Sequence, residues 1–162
     1  MRGQYADLAA FERMLEQGDP LVYEVFENQV PSRPGELAHG TSVVHPGRVG
    51  DEYFMTKGHF HAVPDTAEVY HCLSGQGFMV LETAEGEWAA EEFVPGRIVY
   101  VPPFWAHRSV NAGDTDLVLF FAYPGNAGHD YRTIEERGFR KRLVEKNGAP
   151  TVVDNPHWGG GA

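Results

Sequence analysis

Two histidines one residue apart, His59 and His61, restrict what this chain can become more than any other feature. On an extended strand, side chains at i and i+2 point to one face. Glu68 follows seven residues later, and Val69 and Tyr70 then lead to a Gly75/Gly77 turn. A second block, residues 95–107, runs through Pro95, Gly96, Pro102, Pro103 and Trp105 to His107, with Asn111 beyond. Together they offer His59, His61, Glu68 and His107. Three imidazoles and one carboxylate suit a mid-row divalent ion such as Fe, Mn, Ni, Co or Zn. A lone His-x-His is common, but chance rarely supplies the distant Pro-Gly…Pro…His…Asn block as well. The bland alternative is a hydrogen-bonded polar cluster inside a barrel, and burying that many polar groups is costly.

The 162 residues fit one domain, and 42% apolar content allows a real core. No apolar run approaches the roughly 20 residues of a membrane span. The first seventeen residues carry Asp7, Glu12, Arg13 and Glu16, which does not match a secretory signal. The one cysteine, Cys72, has no internal partner and is expected to be a buried strand thiol in a reducing compartment. A cytoplasmic protein is the expectation. The formal net charge of −10 argues against nucleic acid as a partner. A small anion could still bind through local donors.

Taken in order, residues 7–17 read as a short helix capped by Asp7 and ended by Gly18. Strand candidates follow at 21–26, 37–44, 52–56, 68–73, 78–83, 87–92, 97–101, 105–110 and 117–123. The last of these is expected to be fully buried. Residues 133–137 form one or two helical turns, and 139–145 and 151–154 look like late strands. About ten short strands separated by turn signals mean a sandwich or barrel. The organisation expected is an N-terminal helical segment over 1–18, one β domain over 19–158, and a flexible tail at 159–162.

The two blocks resemble the paired signatures of the cupins, small jelly-roll barrels. His59-x-His61, Glu68 and Gly75 fit the first, although Tyr53 stands where a leading glycine is usual and the gap to Glu68 is long. Gly96, Pro102, His107 and Asn111 fit the second, with Phe104 replacing its inner glycine. Longer runs narrow the resemblance: residues 56–61, 67–70, 100–108, and 123–131 with Gly128-His129-Asp130-Tyr131. These are similar to the cupin-type phosphoglucose isomerases of archaea and some bacteria, over about residues 19–158. That resemblance implies an all-β cupin jelly roll with a short N-terminal helix and a small C-terminal helical turn. It implies a dimeric cytoplasmic enzyme that interconverts glucose 6-phosphate and fructose 6-phosphate, using one divalent metal per subunit. Fe(II) is the expected metal, with Mn, Ni, Co or Zn as alternatives. The expected partners are a small sugar phosphate and a second copy of the chain, with no nucleic acid and no membrane.

The residue roles follow from the same resemblance. His59, His61, Glu68 and His107 would hold the metal. Glu68 would also be the base of an enediol route. A metal-assisted hydride shift, in which no base touches carbon, stays open beside it. His129 and Tyr131 would act at the substrate, in ring opening or in hydrogen bonding to sugar hydroxyls. Tyr23, Ser42, Thr56 and Gly58 would bind the phosphate, with Lys57 adding charge. Ser42 stands where the family usually has threonine. Tyr70 and Tyr123 would contact the sugar. Read from the residues alone, Arg108 points to the strand face opposite His107 and is expected to be structural or interfacial, and Tyr100, Phe104 and Trp105 are expected to pack the barrel. Two other readings compete: an Fe(II) dioxygenase on the same metal set, and a non-enzymatic sugar-binding cupin.

Overall fold

The structure is a computed structural model and describes residues 4–159. The expected tail therefore falls, at residues 160–162, outside the described residues, as do the first three residues of the N-terminal segment. Helix α1 (Leu8–Gln17) starts at Asp7, whose carboxylate accepts from Ala10 N–H at 2.8 Å. It stops at Gly18, as the sequence suggests. Twelve strands follow: β1 (Tyr23–Asn28), β2 (Leu37–Val44), β3 (Arg48–Val49), β4 (Glu52–Tyr53), β5 (Glu68–Ser74), β6 (Gly77–Thr83), β7 (Trp88–Phe93), β8 (Ile98–Val101), β9 (Trp105–Asn111), β10 (Leu117–Pro124), then, after the short helix α2 (Arg132–Arg137), β11 (Lys141–Lys146) and β12 (Ala149–Asp154).

One sheet has the order β1-β2-β10-β5-β8, a second β12-β11-β4-β3, and a third β7-β6-β9, and the strand pairs are antiparallel. Non-sequential neighbours such as β2 beside β10 give the jelly-roll connectivity. The barrel interior is lined by alternate residues: Val44, Leu117, Leu119, Cys72 and Val99 from the first sheet, Met79 and Leu81 from the third. Strand β9 is buried from Ala106 to Asn111. His107, Ser109 and Asn111 alternate with Ala106, Arg108 and Val110. Arg108 is covered by the N-terminal segment. Its guanidinium donates to Gln4 Oε1 at 2.7 Å and to the Lys57 carbonyl at 2.9 Å, and lies 4.0 Å from the Phe139 ring centroid. It is structural, and burial pulls its pKa down to about 10. Asn111, wholly buried, donates to the Val44 and Thr115 carbonyls and accepts from Gly113 N–H, closing the turn after β9.

Three expectations need correction. Leu117–Pro124 is not fully buried: it alternates buried and half-buried residues, because one face of this antiparallel sheet meets solvent. Phe104 and Tyr100 do not pack the barrel, being 60% and 56% exposed. Phe104 takes a left-handed φ of 69°, the conformation that explains the usual glycine there, and its ring is turned out of the core. Trp105 alone of the three packs against the core. Finally, the expected strand at 52–56 is paired only over Glu52–Tyr53, with an isolated bridge at Met55.

His45 ties the end of β2 to its neighbours. Its Nδ1 is 2.9 Å from Asp116 and its Nε2 3.3 Å from Glu24, so both nitrogens face carboxylates. Only the imidazolium can donate at both positions. The Asp116 hydrogen bond, foremost, raises its pKa above the usual 6.5. A raised folded-state pKa stabilises fully below the unfolded value and is lost as pH climbs through the folded one. The difference in melting temperature between the native protein and His45→Gln should therefore be largest near pH 6 and shrink towards pH 9.

Candidate metal centre and substrate cavity

The segment carrying His59 and His61 has no long strand of its own, yet two neighbours hold it. On one side His59 and His107 exchange backbone hydrogen bonds at 3.2 and 3.1 Å. On the other side Phe60 and Asp130 do the same at 3.2 and 2.8 Å, and Val63 N–H reaches the Ala127 carbonyl at 2.8 Å. This pairing sets His59 beside His107 of β9, their ring centroids 4.5 Å apart, and His129 over His59 at 4.4 Å. Glu68 opens β5 opposite Val101. Its carboxylate is 2% exposed and lies 3.0 Å from both His61 Nε2 and His107 Nε2. One ligand atom from each of His59, His61, Glu68 and His107 falls within 4.8 Å of the others, a group that could hold one metal ion.

The proton inventory fits a cation there. Thr66 Oγ1 donates its hydrogen to the Val63 carbonyl at 2.6 Å. It can therefore only accept from His61 Nδ1, 2.8 Å away, as can the Thr66 carbonyl at 3.1 Å. With its proton on Nδ1, His61 leaves Nε2 facing Glu68 Oε2 at 3.0 Å, where either a second proton or a metal cation can join the two atoms. His59 Nε2 and both ring nitrogens of His107 are buried without a hydrogen-bond partner, and the same cation would engage one nitrogen of each ring. Burial would raise the Glu68 pKa, but the imidazoles, His107 first, outweigh it and hold the carboxyl below the usual range. His59 is held well below the ordinary imidazole range, by burial first and then by His107 and His129.

A cavity of about 180 Å³ opens onto this group. Its walls include all the sequence-predicted substrate residues: Tyr23, Ser42, Thr56, Gly58, Tyr70, Tyr123, His129 and Tyr131, together with Lys57. Ser42 Oγ is buried with no partner. Thr56 Oγ1 accepts from Ser109 N–H at 3.0 Å, which leaves its own hydrogen to donate into the cavity. Lys57 is ion-paired with Glu135 and sits 4.9 Å from the Tyr131 ring centroid. Burial, followed by Glu68, raises Tyr70; burial also raises Tyr123 and Tyr131 and lowers His129. Sequence reasoning missed four lining residues: Val25, Glu27, Ser109 and Phe121. All four were within reach, because on a strand Val25 and Glu27 share a face with Tyr23, Ser109 with His107, and Phe121 with Tyr123.

A jelly-roll barrel whose interior gathers three imidazoles and a carboxylate at the base of a polar cavity is a cupin with a candidate metal centre. Among solved structures, an oxalate oxidase aligns with a TM-score of 0.58 at 16% identity, covering 75% of this chain and 60% of that one, a likeness of fold alone. The family model described as glucose-6-phosphate isomerase (GPI) matches residues 1–157. A glucose-6-phosphate isomerase of Thermococcus litoralis is 51% identical over 158 residues, 98% of this chain and 83% of the relative. Those of Pyrococcus horikoshii and Sinorhizobium medicae are 49% and 45% identical, each covering 98% of this chain and 84% and 75% of the relative. The chain belongs to the glucose-6-phosphate isomerase family.

Protein stripped with chelator, reloaded with Mn(II) or Fe(II) and gel-filtered should retain one ion per chain by elemental analysis. His107→Ala should retain none. Thr66→Val, which removes the hydroxyl acceptor and keeps the carbonyl, should bind up to about tenfold more weakly.

Proposed function

We propose that this protein interconverts glucose 6-phosphate and fructose 6-phosphate with a divalent metal held by His59, His61, Glu68 and His107. The observation that carries the reading is one cavity lined both by hydroxyls suited to a phosphate and by the metal-ligating group. The names of its relatives point the same way. Fe(II) is the metal we propose among the ions such a donor set accepts. When bound, the ion supplies Lewis-acid polarisation of the sugar carbonyl.

The chain's own residues do the rest. Tyr23, Ser42 and Thr56 offer hydroxyl donors to the phosphate, with Gly58 beside them, and the Lys57 ammonium can turn from Glu135 towards the anion. His129, kept neutral by burial, takes the proton from the C1 hydroxyl and delivers it to the ring oxygen as the C1–O5 bond breaks, while Tyr131, which keeps its own proton, hydrogen-bonds that oxygen. Tyr70 and Tyr123 contact the open chain. Glu68 takes the C2 proton and returns it to C1, while the hydroxyl proton of O2 ends on O1. The lowered pKa of Glu68 favours a second reading of this step, a direct hydride shift from C2 to C1.

Both edges of the five-stranded sheet carry exposed apolar residues outside the cavity, Phe26 on β1 and Ile98 and Tyr100 on β8. They support a homodimer, which light scattering should report as twice 18.0 kDa. No helix among the described residues is long and apolar enough to cross a membrane. The compartment we propose is the cytoplasm, in keeping with the buried free thiol of Cys72.

The test is conversion of fructose 6-phosphate to glucose 6-phosphate in a dehydrogenase-linked assay, after separate reloading with Fe(II), Mn(II), Ni(II) and Zn(II). Activity should appear only with metal and vanish in His107→Ala. Silence with every ion, in protein that binds one stoichiometrically, would sink the isomerase reading. Run in D₂O from fructose 6-phosphate, the enediol route should place deuterium at C2 of glucose 6-phosphate to the extent that Glu68 exchanges its proton with solvent, whereas a hydride shift places none, so incorporation of label establishes the enediol.

A further inference from the structure

Glu27 is the one cavity carboxylate outside the metal group. It lies at the exposed rim, on the edge strand β1, and Tyr123 Oη donates to its Oε1 at 2.9 Å. That contact spans two strands, because β2 lies between β1 and β10. The register shows how it is possible. Glu27 stands opposite Gly40, and Tyr123 opposite Ala38, so the intervening strand offers almost no side chain. Gly40 has no room for one: a Cβ there would come within 2.2 Å of the Phe26 carbonyl and 2.9 Å of the Phe121 ring. The floor between β1 and β10 is left clear, and Glu27 reaches over it.

The proton count then fixes the character of this wall. An ionised carboxylate only accepts. Tyr123 has spent its proton on Glu27, so its oxygen too presents lone pairs to the cavity. The opposite character prevails at Ser42 and Thr56, whose hydroxyls can donate. A phosphate monoester dianion, which only accepts, is repelled by the first wall and welcomed by the second. Sugar hydroxyls are donors, and they suit the first.

We infer that Glu27, oriented by Tyr123, is a substrate-binding and specificity-determining residue that accepts hydrogen bonds from sugar hydroxyls lying between the phosphate and the reacting carbons. This rests on the sugar-phosphate reading above and deepens it. The residue fixes which way the ligand enters and selects a polyhydroxylated phosphate over a bare one.

The experiment compares binding of two ligands by calorimetry, fructose 6-phosphate and inorganic phosphate, to metal-loaded native protein, Glu27→Gln and Glu27→Ala. A hydrogen bond to a charged group predicts that fructose 6-phosphate binds about tenfold more weakly to Glu27→Ala, and less so to Glu27→Gln, which keeps one acceptor oxygen. Inorganic phosphate should bind equally or more tightly. In turnover, KM should rise more than kcat falls. Unchanged or tighter binding of the sugar phosphate overturns the inference, since the carboxylate would then be mere repulsive charge. Parallel weakening of both ligands also overturns it, as a general disturbance of the cavity. Calorimetry needs no turnover, so native protein that binds both ligands but does not isomerise would defeat the proposed reaction and leave this comparison decisive for Glu27.

Discussion

The structure turns on the burial of three imidazoles around one carboxylate. His61 Nε2 and Glu68 Oε2 face each other at 3.0 Å in the barrel interior, with His59 and His107 closing the ring. Left to itself, such a group costs several kcal/mol in desolvation. A bound cation converts the same geometry into four favourable contacts. The outer hydrogen bonds show the arrangement to be set from outside the group: Thr66 gives its proton to Val63 and so obliges His61 to keep its own on Nδ1.

Those four side chains meet because two backbone pairings cross at one short segment. His59 bonds to His107 on one side, and Phe60 to Asp130 on the other. The first assembles the metal group. The second carries His129 and Tyr131 over it, and α2 follows directly after Tyr131, with the Asp130 carboxylate accepting from the Thr133 N–H and hydroxyl in its first turn. One segment of alternating residues therefore fixes both the chemistry at the base of the cavity and the residues at its mouth. Beneath it, the buried guanidinium of Arg108 holds the Lys57 carbonyl, which steadies the approach to Gly58 and His59.

The cavity is divided by the direction of its hydrogen bonds. One end offers hydroxyl protons at Ser42 and Thr56. The other offers acceptors, at Glu27 and Tyr123, across the clear floor of Gly40 and Ala38. An asymmetric ligand with an anion at one end and hydroxyls along its length is matched by that polarity more closely than a compact dianion would be. The chain as a whole carries −10 charge. An anion entering the cavity meets local donors, with no attractive field from the whole molecule.

Much of this was legible in the linear chain. The two-residue period of His59 and His61, the spacing to Glu68, and the Pro-Gly…His…Asn block specified a strand-borne donor set, since strand geometry puts alternate side chains on one face wherever the strand lies. Glycine and proline punctuation specified short strands, and Asp7 with Gly18 delimited α1. Other matters depended on which strands became neighbours. The run 117–123 reads as fully buried but is only half-buried on alternate residues, because one face of its sheet meets solvent. Phe104 reads as core but sits at a left-handed turn with its ring outside. The contact of Glu27 with Tyr123, 96 residues away, exists only because β2 separates their strands and is bare of side chains at that point. Local periodicity assigns a face to each residue. Only the closed barrel decides what that face meets.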